Sequence, residues 1–543
     1  MNRKGRILIV DDQEHWRKAL VEILQRGGFY ADSASSTIEA LECLQKYLYH
    51  LVVLDIRLVD IAGNEEGMGL LGELERRGLS EATKVIMLSA YGTQEYMRTS
   101  FTEYNVVDFL SKDDFDNEEF LREVRKIFSE KVKINLALDI HWPQASRPEQ
   151  IVLTLNVDGT SVHHDSPLRS QVVIELEDLF WRLFRQAKSV LVRPSTAGWS
   201  GTGVLRALPF YPTGGGGYEV IVKFGDFRKI EEEYRNFSEY VQPFLGGERN
   251  TTINGLRRTP SLAGITYSLL GTTNDRVVDF GEFYRHADSS QIKEAVDRLF
   301  WHTCKAWYAS RGQLELVDLT ADYQRLFSYP LGMPEQVLSA DQLNISVRDD
   351  QKLSFKSLPG NRAFTNPLPV IDGPSLVYPT YCCITHGDFN HHNLLVDSDG
   401  NMWLVDFQGT GPGHILRDVA SLDSVVRFQL LTAEEATLEE RLRMEEALLD
   451  NIQRFSQVDQ LINKFSTTNR ALAKAHATVI HLRTDMARKL VEANPADDIS
   501  EYYIALLYNA LNTLRFSSLA PLQREHALLC ASLLADRLGL DGQ

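Results

Sequence analysis

The chain lacks several things that would each have named a class. No apolar run approaches the length that spans a bilayer, so a membrane protein is not expected. Cysteine is scarce, and the five residues (Cys43, Cys304, Cys382, Cys383 and Cys530) have no metal-ligand spacing. Adjacent Cys382 and Cys383 point to opposite faces of a strand and read as packed thiols, and a cytoplasmic protein is expected. Basic residues are in deficit, 57 against 74 acids for a net charge of −17, which argues against general affinity for nucleic acid or anionic membrane. No helix-turn-helix with a basic recognition helix is apparent, which sets a transcription factor last among the alternatives. The start, Met1-Asn2-Arg3-Lys4, leads into a short strand, and no cleavable signal is expected. What remains is ordinary globular composition, 43% hydrophobic and 24% charged. At 543 residues it is too long for one core, so two to four domains are expected.

Residues 1 to about 130 alternate apolar strand-like runs with amphipathic helical patterns. Ile7–Val10, Leu51–Leu54, Lys84–Leu88 and Val106–Leu110 are the runs; helices are expected near Glu14–Arg26, Thr37–Leu48 and Phe115–Phe128. Alternating βα units predict a doubly wound parallel sheet, whose chemistry gathers at the carboxyl ends of the strands. There the sequence places Asp11 and Asp12, Asp55, Ser89 and Lys112 in turn. Three carboxylates at one edge repel one another unless a divalent cation sits among them. The pattern resembles the receiver domain of bacterial response regulators. That resemblance implies that Asp55 accepts a phosphoryl group, that Asp11, Asp12 and Asp55 hold Mg²⁺, and that Ser89 and Lys112 contact the phosphoryl oxygens. It also makes Phe109 the aromatic that repacks on activation, and a cognate sensor histidine kinase the partner. Two departures stand out: a long polar segment, Asp60–Gly69, and Asp113 after Lys112, where many receivers have proline.

Residues 131–188 read as a small β-rich connector. Asn135–Trp142 and Ile151–Val157 alternate, and a helix is expected from about Val172 to Ala187. From Ser189 the pattern turns to strands. Gly198, Gly201 and Gly203 lie between strand-like segments, where backbone N–H groups could approach a triphosphate. A hairpin across the Gly214–Gly217 run then reaches Val220-Ile221-Val222-Lys223. On the next helix, Phe227–Val241, Glu233 borders the apolar stripe and is the expected partner of Lys223, with Glu232 the alternative. Glycine loop, hairpin and strand-terminal lysine follow the order of kinase N-lobes. The run Ala263–Leu270 resembles the last N-lobe strand and hinge, with Leu270 at the adenine.

The most informative stretch is Ile384–Gln408, ITHGDFNHHNLLVDSDGNMWLVDFQ. Two apolar runs around Asp399-Gly400 predict a hairpin that carries Asn393 at its entry and Asp406 at its exit. One carboxylate, Asp388, held apart from an Asn/Asp pair suits metal-assisted phosphoryl transfer. Asp388 would deprotonate a hydroxyl while Asn393 and Asp406 bind Mg²⁺. The order H-G-D-x-x-x-x-N followed by a strand ending D-F resembles the aminoglycoside phosphotransferase and choline kinase branch of the protein-kinase-like fold. Protein kinases have Arg where this chain has Gly387. Arg417-Asp418 resembles that family's structural Asp. Gly409–His414 reads as a glycine-rich loop, and amphipathic helices follow from Glu434 to Leu538. His391, His392, His476 and His481 lack a closing metal set.

The expected architecture is therefore multidomain, α/β followed by α+β. It has a (βα)5 receiver (1–130), the connector (131–188), a kinase-like N-lobe (189–275) and a helical C-lobe (276–543). Domain order also resembles the ternary-complex-associated kinase-like proteins of bacterial signalling. The reading is a response regulator whose output is an ATP- and Mg²⁺-dependent phosphotransferase acting on an unidentified hydroxyl acceptor. The alternative is a receiver joined to a nucleotide-binding pseudokinase that serves as a switch or scaffold.

Overall fold

The computed structural model describes residues 5–58, 66–90, 100–102, 104, 106–144, 147–194, 201–245, 251–269, 277–330, 332–338, 343–360 and 362–540. They form two compact units, residues 1–234 with 252–268, and residues 235–251 with 269–543.

The first unit begins with β1 (Arg6–Val10), α1 (Glu14–Arg26), β2 (Tyr30–Ala34), α2 (Thr37–Lys46), β3 (Leu51–Leu54), α3 (Glu66–Arg76), β4 (Lys84–Ser89), β5 (Asp108–Ser111) and α4 (Asn117–Ile127). The strands pair in parallel in the order β2-β1-β3-β4-β5. Period-2 alternation explains the two cores. Ile7, Ile9, Leu51, Val53, Ile86 and Leu88 face Leu20 and Leu24 of α1 and Phe120 and Val124 of α4. Leu8, Val10, Val52, Leu54, Val85 and Met87 face α2 and α3. Burying each such side chain contributes ~1.5–3 kcal/mol, which is why β3 is apolar at every position. The edge strand β2, with sequence YADSA, was not anticipated; an exposed edge needs no continuous apolar run. Within Asp60–Gly69, residues 60–65 lie outside the described residues, while Glu66–Gly69 begin α3.

The connector corrects two expectations. Ile151–Val157 is not a strand: a short helix, Pro148–Ile151, passes into a single tight turn, Val152–Thr154, and only Asn156–Val157 is extended. Proline at the first helical position favours that start. Nor is 131–188 a separate spacer. β6 (Asp139–His141) joins the edge of the next sheet, pairing in parallel with β9 (Ser189–Pro194). β7 (Asn156–Val157) and β8 (Thr160–Ser161) form a hairpin whose two-residue turn, Asp158-Gly159, has positive φ at both positions. α5 (Arg169–Leu183) follows. β10 (Gly203–Phe210), β11 (Val220–Asp226), β12 (Thr251–Arg258) and β13 (Leu262–Leu269) complete a six-stranded sheet, ordered β12-β13-β11-β10-β9-β6. Leu138 and Ile140 share one core with Val172, Leu176 and Phe180 of α5 and with Val190, Leu205, Val222 and Phe224 of the sheet. α6 (Phe227–Asn236) leads on from β11.

In the second unit, β14 (Val278–Asp279), β15 (Cys382–Thr385), β16 (Leu394–Val396), β17 (Met402–Leu404) and β18 (Gly411–His414) surround the predicted loop. β16 and β17 form the expected hairpin, with β14 on its edge. Gly409–His414 is corrected from loop to strand at its end, because Gly411–His414 pairs antiparallel with Cys382–Thr385. Helices α7 (Leu319–Phe327), α8 (Arg417–Val425), α9 (Ser500–Thr513) and α10 (Pro521–Leu538) belong to the helical body. Among the described residues no helix is long and apolar enough to cross a membrane.

Candidate functional site

At the carboxyl edge of the first sheet, Asp11, Asp12 and Asp55 bring ligand oxygens within 4.8 Å of one another. Lys112 reaches into the group, with Nζ 2.6 Å from Asp11 Oδ2 and an ion pair to Asp55 Oδ2. Burial raises the Asp11 carboxyl above its ordinary range, against the pull of Lys112. Backbone N–H groups of Gln13 and Arg57 donate to Asp11 and Asp55 at 2.9 and 3.3 Å. The Arg17 guanidinium bonds the Asp11 and Asp12 carbonyls at 2.7 Å each, pinning the turn that presents both acids. A cavity of about 190 Å³ opens here, lined by Asp12, Asp55, Lys112 and also Trp16. Three hard oxygens at this spacing fit a divalent cation. Ser89 is buried at the end of β4, and Phe109 is half-buried on β5.

In the six-stranded sheet, Lys223 Nζ lies 2.7 Å from Glu233 Oε2, with both side chains buried. The Tyr267 hydroxyl donates to the other carboxylate oxygen. Sequence reasoning missed Tyr267. It opposes Ile221 in the β11–β13 register, and so shares a face with Lys223 two residues on. Gly201 and Gly203 are accounted for by packing. Gly201 has a φ of +73° and lies against Asn156, whose N–H donates to its carbonyl at 2.9 Å. A Cβ on Gly203 would collide with the Phe224 ring. Gly198 and Leu270 lie outside the described residues.

In the second unit Asp388 is exposed at the tip of its turn. The Asn393 amide donates to the Asp388 carboxylate and carbonyl at 2.9 and 3.1 Å, which turns its own Oδ1 away from that acid. Val405 N–H donates to the Asn393 carbonyl at 3.1 Å, so Asn393 and Asp406 flank the open end of one hairpin. Asp406 has a φ of +69°, a conformation that a side-chain-bearing residue adopts at some cost. His386 is buried: Nε2 is 3.2 Å from the Val405 carbonyl, and Nδ1 accepts from the Asp388 N–H at 3.4 Å. Gly387 has a φ of +82°, and a Cβ there would strike the Gly409 carbonyl, so the arginine of protein kinases has no room. Asp418 underlies the turn. Its oxygens accept the His386 and Gly387 N–H groups at 3.0 Å each, and the Tyr308 hydroxyl at 3.1 Å. Burial pushes its carboxyl up to about 6, although these donors pull it down. Asn393 and Asp406 thus offer, at one end of a hairpin, oxygen donors of the kind that Mg²⁺ takes.

Of the histidines set aside in the sequence, His392 Nδ1 lies 3.1 Å from Asp279, and His481 contacts Asp297 and Asp485. Burial and the neighbouring His392 lower His391 to about 4, and burial lowers His476 to about 4. Among the described residues, Asp11, Asp12 and Asp55 are the one group of three or more His, Cys, Asp or Glu side chains placed to share a metal ion.

These features define a response-regulator receiver fused to a kinase-like domain, and the similarities to known proteins agree. The response regulator receiver domain matches residues 7–125, and ternary complex associated domain 9 matches residues 187–357 and 358–515. The latter stretches cover more than half of the chain, which belongs to the ternary complex associated domain 9 family. Sporulation initiation phosphotransferase F of Bacillus subtilis is 30% identical over 126 residues, which are 23% of this chain and 94% of that protein. The transcriptional regulatory protein DltR of Streptococcus agalactiae is 29% identical over 120 residues, 22% of this chain; the chain spans 50% of that relative's length. Among solved structures, the receiver domain of NtrX from Brucella abortus is 25% identical, with 23% of this chain and 99% of that chain covered and a TM-score of 0.21.

Proposed function

We propose that this response regulator delivers its output through ATP- and Mg²⁺-dependent phosphoryl transfer to a hydroxyl acceptor. The observation that carries the reading is the Asp388 turn: an exposed carboxylate oriented by Asn393, on a turn held from below by Asp418. Asp388 would take the proton of the acceptor hydroxyl as its oxygen attacks the terminal phosphorus of ATP, the bond from that phosphorus to the bridging oxygen breaking and ADP leaving. Asn393 and Asp406 would hold the magnesium ion, and Lys223, paired with Glu233, would serve the nucleotide phosphates. When bound, that ion would neutralise charge on the phosphoryl oxygens. In the receiver, a sensor histidine kinase is the phosphodonor for Asp55.

Mutation separates the roles. Asp406→Ala should weaken Mg²⁺-ATP binding, while Asp388→Asn should leave binding nearly intact and lower turnover by about 10² or more. Equal loss of binding in both variants would make Asp388 structural. The alternative is a nucleotide-binding switch without turnover, in which the packing of Gly201 and Gly203 against Asn156 and Phe224 has a purely structural role. Nucleotide bound by the wild type, with no phosphate transferred to a metabolite pool or to protein, would select it. In either reading Asp55→Asn should abolish labelling by a small phosphodonor.

A further inference from the structure

We infer that Trp16 shields the phosphoryl group on Asp55 and sets its lifetime, a role that rests on Asp55 being the phosphoacceptor. α1 presents Leu20 and Leu24 to the core at helical spacing, and Trp16 stands one turn earlier on the same stripe. Leu20 and Leu24 lie under the sheet, whereas Trp16 lies beyond its carboxyl edge and lines the cavity that also holds Asp12, Asp55, Arg57 and Lys112. Its ring is 5.3 Å from the Lys112 ammonium, the cation that bridges Asp11 and Asp55. The ring is set edge-on against Phe115 at 5.2 Å, and Phe115 packs on Phe120 of α4 at 5.3 Å. The Arg17 guanidinium, donating to the Asp11 and Asp12 carbonyls, fixes the adjoining turn. The indole is thus held as a wall of the phosphoacceptor cavity, with its face toward the lysine that pairs with the phosphoryl oxygens.

Loss of the phosphoryl group is hydrolysis. Water attacks phosphorus, the bond from phosphorus to the Asp55 oxygen breaks with its electron pair returning to the carboxylate, and inorganic phosphate leaves. A large apolar ring in the wall restricts where that water can stand. It also holds Lys112 by a cation–π contact. The competing explanation is that Trp16 merely extends the apolar stripe of α1 onto Phe115.

Leucine distinguishes the two, because it satisfies the stripe without a ring. The full chain, labelled with radioactive acetyl phosphate and Mg²⁺ and then freed of donor, is followed for loss of label from Asp55. Trp16→Leu and Trp16→Ala should shorten the half-life about two- to fivefold, the scale of an exposed cation–π contact, and Trp16→Phe should restore most of it. Thermal melts accompany each variant, and if Trp16→Ala does not fold, Trp16→Leu still reads the effect. Half-lives equal to wild type in a folded Trp16→Leu protein overturn the shield and leave Asp55 as the acceptor. Label that persists in Asp55→Asn, or is absent from the wild type, overturns both.

Discussion

Asp178 and Asp418 are both fully buried carboxylates, one in each unit, and their neighbours differ in kind. Asp178, on α5, is paired with a guanidinium and an imidazole. Arg182 Nε donates to one oxygen at 2.6 Å, and His50 Nε2, from the receiver, lies 2.8 Å from the other. Burial works against its charge, but Arg182 and His50 prevail and hold the carboxyl below its ordinary range. Arg182 also donates to the Ala82 carbonyl at 3.2 Å. The receiver is therefore joined to α5 at the amino-terminal edge of its sheet, opposite the edge that carries Asp55. Asp418 is satisfied mainly by backbone N–H groups and a phenol, and its carboxyl is pushed up to about 6. An ion pair of the first kind fastens two elements together. Two N–H bonds of the second kind dictate the path of one turn, here the turn that ends on Asp388.

The largest effect is expected where a charge is stranded. Asp178→Ala leaves Arg182 buried without its carboxylate and should cost about 3–5 kcal/mol, read as a lower urea midpoint of the full chain. Asp178→Asn, which keeps an acceptor for Arg182, should cost less. If both variants match wild type, the junction is not held by charge and the contrast with Asp418 fails.

Next comes Asp418→Ala, which strands the N–H groups of His386 and Gly387 and should cost about 1–3 kcal/mol. Because those groups shape the Asp388 turn, turnover should fall further than stability alone explains, with ATP affinity nearly retained. Denaturation and nucleotide titration of the same preparation check this. A variant that loses stability but keeps full turnover per folded molecule would show that the turn holds its own shape.

The βα alternation was legible because both sheet faces are buried, and apolar runs such as Leu51–Leu54 report that directly. The hairpin around Asp399-Gly400 was legible for a similarly local reason, since its turn chemistry lies in the sequence. Glu233 could be chosen over Glu232 because it borders the apolar stripe of its helix. Tyr267, Trp16 and the His50–Asp178 pair were not legible. Each depends on a strand register, a helix end or a contact between residues 128 positions apart, and none leaves a local pattern. Ile151–Val157 misled because a short alternating run cannot be told from a helix passing into a turn. The glycines at 201 and 203 were visible, but packing against Asn156 and Phe224 was not.

The smallest and most discriminating effect is a pH dependence confined to one of the two carboxylates. A carboxyl raised in the folded state binds more protons there than in the unfolded chain. The stability it contributes is thus fully present below its ordinary value of 3.8, and is lost as pH rises through about 6. Asp178 is lowered, so its contribution is complete above the ordinary carboxylate value and disappears only as pH falls below it. Between pH 5 and pH 6 Asp418 should titrate while Asp178 is silent. Urea midpoints of wild type and of Asp418→Asn, taken at both values, isolate this group from the rest of the chain. The wild type should lose stability relative to the variant on going from pH 5 to pH 6, by at most ~1.4 kcal/mol, the limit for one proton over one pH unit. The same comparison with Asp178→Asn should show no change over this interval. A constant difference between wild type and Asp418→Asn would mean that the two backbone N–H bonds and the Tyr308 hydroxyl outweigh burial. Asp418 would then behave like Asp178 despite the absence of a paired cation among its hydrogen-bond donors.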